Sequence, residues 1–64
     1  MKPESRLDIA RRNVAQAEAY VARQKCLIEE LKAGRHRTTG AEIFLRNLES
    51  ALATCRKTLR LLQH

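Results

Sequence analysis

Apolar residues recur at alternating steps of three and four along two runs of this chain. The first run is Leu7, Ala10, Val14, Ala17, Val21, Ile28 and Leu31, with Gln24 filling the one polar place in the pattern. The second is Ala41, Leu45, Leu48, Leu52, Cys55, Leu59 and Leu62. This spacing averages 3.5 residues, so one stripe of an α-helix keeps facing a partner over many turns. Two such stripes separated by a short polar stretch predict an all-α fold: an antiparallel coiled-coil hairpin.

Capping chemistry sets the expected limits of the helices. Pro3 is excluded from a helix interior, and Ser5 with Asp8 three residues on can accept a bond from the first free amides. Helix 1 is therefore expected over about 5–33, ending where Gly34 can take the left-handed conformation that often closes a helix. The polar segment Arg35, His36, Arg37 and Thr38 lacks the stripe, and the loop is expected over about 34–39. Thr39 and Glu42 have capping-box spacing, so helix 2 is expected over about 40–62. The whole chain, 1–64, reads as a single domain.

Matching the two stripes level by level pairs Ile28 with Leu45, Val21 with Leu52 and Val14 with Leu59. The alternate layers pair Leu31 with Ala41, Gln24 with Leu48, Ala17 with Cys55 and Ala10 with Leu62. Small residues on the first helix thus oppose larger ones on the second, which evens the layer volumes. A polar residue such as Gln24 in a stripe position serves to specify register.

The two flanks of the stripe differ in character. One pairs Lys32 with Glu42, Lys25 with Glu49, Glu18 with Arg56 and Arg11 with Gln63. Exposed ion pairs are each worth about 0.2–1 kcal/mol, so these set register more than stability. The other flank pairs Leu27 with Phe44, Tyr20 with Ala51 and Asn13 with Thr58. Tyr20, Leu27, Phe44 and Ala51 are therefore the candidate interface for a second copy or for another protein. The competing reading is that Leu27 and Phe44 cover the hairpin tip.

A chain of 64 residues hides only about 60% of its unfolded surface on folding alone. Self-association is the expected remedy, with a two-fold homodimer forming a four-helix bundle. Disulfides are not expected to substitute, because Cys26 and the level of Cys55 lie roughly 13 Å apart along the helices. Cys55 is expected to pack as a small apolar residue, and Cys26 to face solvent. The two histidines, His36 and His64, lack metal-ligand spacing, so no metal or other cofactor is expected. No hydroxyl or thiol has a base and an orienting group arranged around a pocket, and the expectation is a non-enzymatic protein. An apolar leader and a run of about 18 apolar residues are both lacking, so the expected setting is cytoplasmic, with no membrane contact.

Charge supplies the alternative function. Thirteen Lys and Arg against seven Asp and Glu give a net charge of +6, which raises acidic partners. Lys32, Arg35 and Arg37 crowd the loop, while Arg56, Lys57 and Arg60 join Arg6, Arg11 and Arg12 where the termini meet. These make Lys32, Arg35, Arg37, Arg56, Lys57 and Arg60 candidate phosphate contacts for a basic RNA- or DNA-binding regulator of the dimeric helical-hairpin type. Aromatic residues to stack on bases are not interleaved with them, and basic residues in a last helical turn are also favoured by the helix dipole. The principal expectation remains a protein-interaction or scaffolding module that self-associates.

The run Val21, Ala22, Arg23, Gln24, then Ile28, Leu31, Gly34, His36, Thr38, Ala41, Leu45, Leu48 and Leu52 resembles the short helical-hairpin proteins of unknown function common in alphaproteobacteria. Relative to their pattern the loop is one residue longer, Arg37 replaces an acidic residue, Phe44 replaces a leucine, and Cys55 stands in place of histidine. The resemblance implies a bacterial origin and a helical hairpin, and it carries no activity or functional residues.

Overall fold

In a computed structural model, which describes residues 5–63, the chain forms two helices. They are α1 (Arg6–Ala33) and α2 (Thr39–Leu62), lying side by side in one antiparallel hairpin. The overall dimensions are 49 × 24 × 12 Å. An α-helix with its side chains is about 10–12 Å across, so the molecule is two helices wide and one helix thick. Its broad faces are left uncovered by any further element.

The coiled-coil stripe accounts for the burial pattern. Among the described residues, every buried or half-buried side chain other than Thr38 lies on one of the two stripes. Ala10, Val21, Ile28 and Leu52 are the buried apolar residues. No described side chain is completely enclosed, because a single contact between two helices always leaves one side of each layer open. Leu62, the last stripe residue of α2, is exposed where the helix ends run out of partners.

Gln24 is buried in the same stripe and donates from Nε2 to the backbone carbonyl of Ala41 at 2.9 Å. It also lines one cleft with Leu48, its expected neighbour. The amide therefore ties the middle of α1 to the first turn of α2. A leucine would fill the space without that directional bond, which is how a polar residue selects one alignment over neighbouring ones.

α1 ends at Ala33 as expected, but the left-handed residue of the loop and the start of α2 each depart from expectation by one residue. The left-handed conformation sits at Arg35 (φ 59°), whereas Gly34 has φ −85°. Arg35 N–H donates to the Lys32 carbonyl at 3.0 Å and His36 N–H to the Leu31 carbonyl at 2.8 Å, the paired bonds of a Schellman motif. That motif places its left-handed residue one position beyond Gly34. Gly34 lies close beneath the exposed His36 ring: a Cβ there would stand 2.8 Å from its Cδ2, so the ring would have to turn aside. At the second helix, Thr38 rather than Thr39 is the N-cap, and it makes no side-chain capping bond. The loop is thus 34–38. Glu42 N–H already bonds the Thr38 carbonyl at 2.8 Å, and the Glu42 carboxylate faces Lys32 across the hairpin instead of turning back as a capping box requires. At the start of α1, by contrast, Ser5 caps as expected, accepting from Asp8 N–H at 3.1 Å.

The left-handed arginine carries a conformational cost of about 1 kcal/mol that glycine avoids. Arg35→Gly is therefore expected to stabilise the hairpin by about 0.5–1 kcal/mol. Thermal unfolding followed by circular dichroism should show Tm rising by several degrees. An unchanged or lower Tm would count against this account of the turn.

Candidate interaction surface

The heptad positions beside the stripes divide the molecule into two unlike faces. On one, Glu18, Lys25, Glu49 and Arg56 surround a cleft, with Lys25, Glu29, Lys32 and Glu42 around the next. Two of the expected cross-helix pairs form here: Glu18 with Arg56 at 3.3 Å and Lys32 with Glu42 at 4.0 Å. Lys25 and Glu49 share a cleft but make no ion pair within 4.0 Å. All four paired side chains are about half exposed, so they orient the helices and contribute little to stability.

The opposite face carries charge only on α1, at Arg6, Arg23 and Glu30. Continuing the heptad along α1 brings Arg6, Asn13, Tyr20 and Leu27 into one line, and Ile9, Gln16, Arg23 and Glu30 into the next. On α2 the corresponding lines are Phe44, Ala51 and Thr58, and Gly40, Asn47, Thr54 and Leu61. The α2 half of this face carries no ionisable group. Large apolar side chains stand out from it: Phe44 is 54% exposed, Tyr20 50%, Leu27 43% and Leu61 65%. This exceeds what covering a hairpin tip requires, since the apolar surface runs from the loop to the opposite end.

The structure places the four candidate interface residues on this neutral face. Tyr20 and Phe44 line one cleft with Arg23, Gln24 and Leu48. Tyr20 thus sits beside Phe44, one heptad from the expected neighbour Ala51, which is exposed further along. A second cleft of about 400 Å³ opens near the helix ends between Ile9, Ala10, Asn13, Thr54, Cys55 and Thr58. Sequence reasoning reached Asn13 and Thr58 but missed Ile9, Leu61 and this cleft. The signal was present in the heptad itself, which carries the line of Thr54 on to Leu61.

The basic candidates fall into two groups at opposite ends of the rod. Lys32, Arg35 and Arg37 lie at the loop, where Glu29, Glu30 and Glu42 offset them and Glu42 faces Lys32 directly. Arg56, Lys57 and Arg60 lie at the open end with Arg6, Arg11 and Arg12, where Asp8 and Glu18, the latter paired with Arg56, are the neighbouring acids. Positive charge therefore concentrates at the open end and is largely balanced at the loop. Cys26 is an exposed free thiol and Cys55 a half-buried one. Among the described residues no three His, Cys, Asp or Glu side chains gather as a metal site, and no helix is long and apolar enough to cross a membrane. Comparison with protein-family models, curated proteins and solved structures returns no match for this chain.

Proposed function

We propose that this protein is a non-enzymatic helical interaction module that self-associates through its neutral face, two hairpins forming a four-helix bundle. The observations that carry this reading are surplus surface and a face poor in charge that exposes large apolar side chains. The chain exposes 5443 Å², against roughly 4,200 Å² for a compact globule of the same mass. Its radius of gyration, 15.1 Å, likewise exceeds the roughly 11 Å of a compact domain of this length. A standard protein interface covers about 800 Å² on each partner, so one such contact absorbs most of the excess. The mass in solution tests the proposal: light scattering should return twice 7.3 kDa, and a folded monomer at micromolar concentration would refute it.

A second reading is favoured by the open-end cluster alone. The open end sets six basic side chains against Asp8 and Glu18, a larger excess than at the loop, where three meet three glutamates. If the protein grips nucleic acid, its affinity for RNA or duplex DNA should fall steeply with salt. Lys57→Glu with Arg60→Glu should then weaken binding more than Arg35→Glu with Arg37→Glu. Equal effects, or a flat salt titration, would remove this reading.

A further inference from the structure

The neutral face is not uniform along its length. Its loop half carries the exposed Leu27 and Phe44, and its open half carries the exposed Ile9 and Leu61 beside a cleft lined by Arg6, Ile9 and Leu62 as well as by smaller residues such as Ala10, Cys55 and Thr58. Leu27 with Phe44 and the open-end cleft lie at matching distances from the middle of the hairpin. Phe44 stands about six to seven residues from the midpoint of α2 on the loop side, and Thr58 about seven on the other. Leu27 and Asn13 are placed alike on α1.

Two two-fold arrangements can bring such faces together. With both loops at the same end, Leu27 and Phe44 of one chain meet those of the other, and open-end cleft meets open-end cleft. That arrangement also sets two open ends side by side, each with Arg6, Arg11, Arg12, Arg56, Lys57 and Arg60 against Asp8 and Glu18. With the loops at opposite ends, each Phe44 lies over the partner's cleft and the basic ends stand roughly 40 Å apart. This is several times the screening length of about 8 Å at physiological salt.

Resting on the self-association reading above, we infer that the occupant of the neutral face is a second copy bound head to tail, with Phe44 of each chain filling the open-end cleft of the other. The charges that remain on the face agree with this orientation. It brings α1 against the partner's α1 in the antiparallel sense, so Glu30 falls near the level of the partner's Ile9, within reach of Arg6 one turn away. Arg23 falls level with the neutral Gln16. The acidic component of each loop end is thereby carried to the other chain's basic end.

Spin labels on the loop discriminate the orientations. In an Arg37→Cys variant that also carries Cys26→Ser and Cys55→Ala, pulsed electron paramagnetic resonance should give a separation of roughly 40–50 Å, from 1.5 Å of rise per residue. A separation near or below the 24 Å width of the hairpin would overturn the head-to-tail arrangement and leave self-association standing. A monomeric sample of the wild-type chain would overturn both. Charge exchange asks the same question without touching the cysteines. Glu30→Arg should raise the dimer Kd several-fold, and adding Arg6→Glu should restore it. These residues are about 36 Å apart within one α1, so restoration can arise only between chains, and failure to restore would refute the head-to-tail pairing.

Discussion

Replacing Leu27 and Phe44 together by glutamate is expected to halve the mass in solution, from twice 7.3 kDa to 7.3 kDa. The two side chains are 43% and 54% exposed in the single hairpin, so association can hide about half of each. Full burial of a large apolar side chain is worth about 1.5–3 kcal/mol. A two-fold interface contains each residue twice, and the four half-burials come to about 4 kcal/mol, or about a thousandfold in Kd. Four carboxylates brought into the contact add a desolvation penalty in the same direction. Ile43→Glu is the matched control. Ile43 is 52% exposed but occupies the outer side of α2, one heptad from Ser50 and two from Lys57, so its replacement should leave the dimer intact. A double variant that remains dimeric, or an equal effect from Ile43→Glu, would place the interface elsewhere.

Leu52→Ala should produce the largest loss of folding stability from a single truncation. Leu52 is the buried residue of α2, and its expected partner, Val21, is buried opposite. Truncating a buried leucine costs about 2–5 kcal/mol through lost transfer free energy and the cavity left behind. Because the layer is open on one side, a value near 2–3 kcal/mol is expected here. A domain of this size has only about 3–10 kcal/mol in total, and each kcal/mol moves Tm by about 4–8 °C. Urea or thermal unfolding should therefore show a fall of 10 °C or more, against little change for Ile43→Ala. A loss below about 1 kcal/mol would mean that the helices are held chiefly by their flanks.

The extent to which the fold was legible varies with the range of the interaction responsible. Burial along the stripes follows from periodicity, because facing a partner every 3.5 residues leaves a helix only one way to turn. Glu18 with Arg56 and Lys32 with Glu42 could be anticipated for the same reason, since long side chains tolerate small errors of alignment. The caps were less legible. Thr38 and Thr39 are chemically equivalent, and Gly34 is the more permissive residue beside Arg35, so residue type alone pointed one position away in both cases. The hydrogen bonds from Arg35 and His36 to the last turn of α1 decide the turn. For the candidate surface, the loop-side residues Tyr20, Leu27 and Phe44 were visible as flanking positions. The cleft near Ile9, Cys55 and Thr58 was not, because a hollow is a property of two helices and the gap between them.

By itself, the sequence determined that there are two helices, where their stripes lie and which flank bears charge, since these depend on local spacing and residue type. Only the tertiary structure decided which carbonyl receives Gln24, which loop residue turns left-handed, and that a cleft opens beside Cys55 and Thr58 near the helix ends. Those features depend on the separation of side chains from different helices, and a linear pattern specifies order along each helix but not the distance across the gap.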